Sequence, residues 1–144
     1  MLPKSTEDPK YQRKSEQLND IIDSFPDPIP FSTIVAEIEQ RLKVNLKANV
    51  GEIGLDRSLR LPNKKTGRLT ILQTPIDHQY KLVHAQLLLA KKYNRVVSQH
   101  SVSSTQATSD VIDECGYERI SLHSCGIGQH AIHSIQKRHP NVYL

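Results

Sequence analysis

Tryptophan is missing from this chain, and its aromatic residues are limited to five tyrosines and two phenylalanines. Stacking platforms for single-stranded nucleic acid are therefore sparse. Cysteine is almost as scarce: Cys115 and Cys125 are the whole complement, too few for a disulfide framework. No apolar run opens the sequence as a signal peptide would, so reduced thiols and a cytoplasmic or nuclear compartment are the expectation. Long hydrophobic runs are missing too. The most apolar stretch, Leu87 to Ala90, falls far short of the roughly 18 residues of a membrane span, and no membrane partner is expected. Internal repeats and low-complexity tracts do not occur.

What is present begins with size: 144 residues suffice for one domain with a real core plus a tail. The net charge of +4 is modest, and its distribution says more than its sum. Residues 1–30 hold six acids against four bases. From Arg41 to Arg68 the balance reverses, with Arg41, Lys43, Lys47, Arg57, Arg60, Lys64, Lys65 and Arg68 set against Glu52 and Asp56. A basic connector of this kind suits an RNA or DNA backbone; it also suits a linker kept soluble by its lysines.

The chain divides into a flexible tail over 1–30, a helix and basic connector over 31–67, and an alternating α/β domain over 68–144. Scattered prolines mark the tail, which has room for one short helix at 14–24. Pro30, Ser32 and Thr33 open a helix running to about Lys43. The glycine-punctuated region that follows shows no sustained periodicity. From Arg68 the pattern becomes regular: a strand over Leu69–Leu72, then a helix on Ile76, Tyr80, Val83, Leu87 and Ala90 that ends near Tyr93. A strand at Arg95–Ser98 comes next, then a helix over 104–115 with a Ser103/Gln106 capping box and a Gly116 stop. A strand at Arg119–His123 and a final helix closed by Lys137, Arg138 and Pro140 complete the pattern. The fold class is α/β, a mostly parallel sheet of three or four strands covered by helices.

The turn Cys125-Gly126-Ile127-Gly128 after the last regular strand presents backbone N–H groups at a helix start, a place that accepts anions. It meets neither the G-x-G-x-x-G nor the P-loop spacing. Cys125, Gly126 and Gly128 are kept as an anion loop, with a tight packing corner as the plainer reading. Rhodanese- and phosphatase-like chemistry at Cys125 fails because Ala131 stands where an arginine is needed. His123, Cys125, His130, His133 and His139 crowd together, yet their spacing matches no zinc finger. No metal, cofactor or catalytic residue is assigned.

Two short pieces resemble the Alba superfamily, specifically the small Alba-type protein subunits of ribonuclease P and ribonuclease MRP. One is Arg60-Leu61-Pro62 with Leu69-Thr70-Ile71-Leu72 and the helix after it. The other is Ile120 to Gly128 followed by Ala131-Ile132. The resemblance implies a β-α-β-α-β-β fold that dimerises and binds nucleic-acid backbone without catalysis, with Arg68, Arg119, Lys137 and Arg138 in that role. The leading expectation is thus a non-catalytic nucleic-acid-binding or ribonucleoprotein subunit, contacting RNA or DNA through Arg57, Arg60, Lys64, Lys65, Arg68, Arg119, Lys137 and Arg138. An α/β enzyme or ligand-binding domain is the second, with Asp77, His78, His84 and His100 as acid–base candidates beside the Gly126 loop. An adaptor for a protein partner, using the proline-rich tail and the Ser32 helix, is the third.

Overall fold

The computed structural model describes residues 8–123 and 125–144. In chain order the elements are α1 (Pro9–Ile22), α2 (Phe31–Val44), β1 (Val50–Asp56), α3 (Ile76–Tyr93), β2 (Val97–Val102), α4 (Thr105–Cys115), β3 (Ile120–His123), α5 (Gln129–Arg138) and β4 (Val142–Tyr143). They fall into two compact units, one of residues 29–58 with 75–144, the other of residues up to Pro28 with 59–74.

The larger unit is built on a four-stranded, all-parallel sheet in the order β1-β2-β3-β4. Each parallel pair needs a crossover, supplied by α3, α4 and α5 in turn. Crossovers of one hand in a sequentially ordered sheet put their helices on one face. The side chains agree. Val97 and Gln99 of β2, Ile120 and Leu122 of β3, and Ile53 and Leu55 of β1 are buried. The apolar members of this set share one core with Val83, Leu87 and Ala90 of α3, Val111 and Ile112 of α4, and Ile132 and Ile135 of α5. Each fully buried aliphatic side chain contributes about 1.5–3 kcal/mol. The alternate residues Ser98, His100, Ser121 and His123 are half-buried and line the opposite face.

The α/β class is as expected, and α2 to α5 lie close to their expected spans. Asn94 and Gly116, both left-handed, stop α3 and α4. The first strand is not where the sequence put it. Leu69 is 69% exposed, and its segment makes only an isolated antiparallel bridge, Pro62 to Leu69. The strand that pairs with β2 is Val50–Asp56, so the α/β body draws on residues before Arg68. The Ser103/Gln106 capping box is also absent: Ser104 is the N-cap without a side-chain cap bond, and Gln106 Nε2 donates to Asp110 at 2.7 Å. The β-α-β-α-β-β order implied by the resemblance differs as well, because α5 separates β3 from β4 and these two pair in parallel.

In the smaller unit the short helix allowed at 14–24 within the expected tail is a helix of Pro9–Ile22, starting earlier; residues 1–7 of that tail lie outside the described residues. The helix starts where Asp8 Oδ1 accepts the Lys10 amide at 2.8 Å, with proline in its first turn. Gln17 Oε1 accepts the Ile71 amide at 2.8 Å, and Lys64 Nζ donates to the Ser24 carbonyl at 3.2 Å. No described helix of either unit is long and apolar enough to cross a membrane.

Candidate functional site

Three neighbouring strands bring Glu52, His100 and His123 together on the half-buried face of the sheet. His100 of β2 is in register with His123 of β3 on one side and with Gly54 of β1 on the other. In parallel sheets, strand ends and their uncovered side chains are where ligand chemistry collects. The register of β1 slips between Val50 and Ile53, a bulge of the kind that re-aims a side chain, and Glu52 lies within it. Two glycines make room. A β-carbon on Gly51 would stand 2.8 Å from that of Ser98, and one on Gly54 would overlap His100.

The geometry is close. Nδ1 of His100 lies 2.6 Å from Glu52 Oε1, and Nε2 of His123 lies 3.3 Å from the same oxygen. The two rings are edge to face, 6.4 Å between centroids. Behind them, Ser98 Oγ is 3.1 Å from His123 Nδ1. An ionised carboxylate only accepts, so each ring turns an N–H toward Glu52, and the remaining nitrogen of His123 meets the Ser98 hydroxyl, a group that can donate or accept. The hydrogen bonds from His100 first, then His123, hold the Glu52 carboxyl below its usual range against a smaller opposing effect of burial. The His100 and His123 side chains are 30% and 34% exposed, so the cluster is open to a ligand.

Two imidazoles and a carboxylate can move protons or bind a divalent ion. Among the described residues no group of three or more His, Cys, Asp or Glu side chains is arranged to hold a metal ion. In this cluster Glu52 Oε1 fills the gap between the rings.

The residues expected from sequence are mostly elsewhere. Gly126 donates its amide to the Ser101 carbonyl at 3.0 Å, so one of the loop's N–H groups is committed to the fold. Neither Gly126 nor Gly128 is crowded or left-handed, so a tight packing corner does not explain them. Cys125 is half-buried, while burial pushes the buried Cys115 thiol up to about 11. Arg60, Lys64, Lys65 and Arg68 belong to the smaller unit, and Arg57, Arg119, Lys137 and Arg138 to the larger. Arg119 Nη1 donates to the Asn94 backbone and side chain. Arg138 binds Asp113, Ser109 and Ser134. His84 faces Glu114 at 3.4 Å, His139 faces Asp113 at 2.7 Å, and His130 and His133 are exposed on α5. Of the acid–base candidates, only His100 joins the cluster. Glu52 was missed altogether, although Gly51-Glu52-Ile53-Gly54 carries a signal: a lone acid between two glycines, flanked by the apolar Val50, Ile53 and Leu55.

No family model matches the chain, and no solved structure matches it. Matches among curated proteins include two from yeasts. The chain is 34% identical over 93 residues to the Cut9-interacting protein scn1 of Schizosaccharomyces pombe, an overlap covering 59% of this chain and 28% of that protein. It is 26% identical over 125 residues to the uncharacterized deoxyribonuclease YMR262W of Saccharomyces cerevisiae, covering 83% of this chain and 38% of that protein. The chain thus spans about a third of the length of the curated relatives it matches.

Proposed function

We propose that the chain carries part of a divalent-metal-dependent hydrolase site for the phosphodiester bonds of DNA. The observation that supports this best is the convergence of Glu52, His100 and His123 from three adjacent parallel strands. The name of one relative as a deoxyribonuclease gives the substrate class. The donor set fits an ion of the zinc, manganese or iron type in number and chemistry. Nδ1 of His100, Nε2 of His123 and a Glu52 oxygen would hold it once the carboxylate moves out from between the rings. Bound there, the ion would polarise a phosphoryl oxygen and lower the pKa of a water.

The chain's own residues have definite parts. To present lone pairs at those atoms, the neutral rings would carry their protons on the opposite nitrogens, Nε2 of His100 and Nδ1 of His123. The Ser98 hydroxyl can donate to or accept from His123 Nδ1, so it supports the ring in both tautomers. Gly51 and Gly54 keep the space in which Glu52 and His100 meet.

The test is cleavage of single-stranded DNA with manganese, magnesium or zinc, alongside metal content and metal-induced thermal shift. The reading expects a shift for the wild type that is lost in His100→Ala and His123→Ala, and cleavage stopped by a chelator. Absence of both shift and cleavage would overturn it. A second reading, non-catalytic RNA or DNA binding of the kind the Alba resemblance implies, is favoured by the bases of the smaller unit. Binding that needs no metal and never leads to cleavage would select it. A protein partner, suggested by the relative that interacts with Cut9, is compatible with either.

A further inference from the structure

We propose that a groove inside the smaller unit binds the sugar-phosphate backbone of DNA. Lys10, Arg13 and Lys14 are three and four residues apart, which places them on one face of α1. Arg60 lines the same groove from the 59–74 segment, with Pro9, Ile71 and Gln73 completing a concavity of about 480 Å³. Among the described residues, none of these four cations forms an ion pair. The acids of the same helix, Glu16 and Asp20, do not line it.

The charge segregation is the point. Residues 1–30 contain more acids than bases, and on that count the segment looks unsuited to a polyanion. Folding reverses the conclusion by gathering Lys10, Arg13 and Lys14 on one helix face and adding Arg60. Four like charges around one hollow repel each other, and an anion between them relieves the repulsion. Arginine forks bind phosphate oxygens in pairs, and lysines act as point charges beside them. A flat anionic membrane would not reach into a concave groove, whereas a strand of phosphates can lie along it. The choice of DNA as the polyanion rests on the hydrolase reading; the presence of an anion site does not.

The experiment is fluorescence anisotropy of a short labelled single-stranded deoxyoligonucleotide, in chelator so that nothing is cleaved, over a salt series. It uses the full chain, the triple variant Lys10→Gln/Arg13→Gln/Lys14→Gln, the single variant Arg60→Gln and the control Lys81→Gln, at an exposed cation of α3. The triple variant should bind at least about tenfold more weakly at low salt, and the slope of log K against log salt should fall by about 2, since each phosphate contact on a single strand is worth about 0.7. Arg60→Gln should lower the slope by about 0.7, which keeps the test decisive if the triple variant fails to fold by circular dichroism. Lys81→Gln, which removes a cation outside the groove, should bind like the wild type. Unchanged affinity and slope in both groove variants would overturn the proposal, as would a groove-dependent affinity for phosphatidylserine vesicles with none for DNA. Groove-dependent binding combined with no metal-induced shift would leave the groove standing and remove the hydrolase reading.

Discussion

A β-carbon placed on Gly54 would stand 2.4 Å from the carbonyl oxygen of His100 and 2.5 Å from Cδ2 of its imidazole. The His100 ring therefore lies against the bare backbone of β1, and this close approach lets its Nδ1 reach Glu52. Gly54→Ala should displace the ring and cost about 1–3 kcal/mol from overpacking. The variant should melt several degrees lower and lose the metal-induced thermal shift. A variant with wild-type melting and wild-type metal response would show that the approach is not needed.

Ser98 acts on His123 from behind. Its hydroxyl, 3.1 Å from Nδ1, meets the ring on the side away from Glu52, and groups in such positions are worth about 10–100-fold in metal affinity. Ser98→Ala keeps the space beside Gly51 and removes only the hydroxyl. Zinc affinity by competition titration should fall by that factor, the ring nitrogen shifts of His123 should move in the NMR spectrum, and stability should change by less than about 1 kcal/mol. Unmoved nitrogen shifts would mean that the hydroxyl does not hold the ring.

How far the sequence revealed all this depended on periodicity. The helices α2 to α5 announce themselves by apolar residues at three- and four-residue spacing, and Gly116 stops α4 as its chemistry predicts. β1 was hidden because Gly51 and Gly54 read as breakers. In the fold they are glycines because β2 runs so close that side chains would collide with Ser98 and His100. Leu69–Leu72 misled for the opposite reason: it has strand composition, but the structure gives it only one bridge. His123 stands near several other histidines and His100 stands apart from any, and nothing local tells a clustered histidine from a solvated one. Only the pairing of three strands separates them, and pairing is a long-range property.

Arg138 shows how an expected phosphate contact can be taken up by the fold. Its guanidinium bonds both carboxylate oxygens of Asp113, at 2.9 and 3.1 Å, and so ties α5 to α4. That hydrogen bond first, then the one from His139, holds the Asp113 carboxyl below its ordinary value, with burial opposing. A depressed folded pKa gives stability that is present above the unfolded value, about 3.9, and is lost as pH falls through the lower folded value. Asp113→Asn should therefore be less stable than the wild type near neutral pH, with the difference shrinking below about pH 3.9. Urea denaturation at the two pH values measures it. A gap that stays constant into acid would show that the carboxylate's charge plays no part.

Gln99 is a core residue whose chemistry opposes its place. It is fully buried on the helix-facing side of β2, and neither its Nε2 nor its Oε1 has a hydrogen-bond partner. An amide left unpaired in an apolar setting costs about 1–3 kcal/mol, and its neighbours Val97, Leu122 and Ile53 offer it nothing. Its in-register partners are Ile53 on β1 and Leu122 on β3, so the site is an apolar row interrupted once. Gln99→Leu or Gln99→Met removes the unpaired groups at nearly the same volume, and it should raise stability by about 1 kcal/mol or more. On a chain of this size that is a rise of roughly 2–8 °C in Tm. Because the side chain points away from Glu52, His100 and His123, metal response and DNA binding should stay as in the wild type. A loss of stability in both variants would mean that Gln99 has a polar partner, such as a buried water, that the unpaired amide conceals.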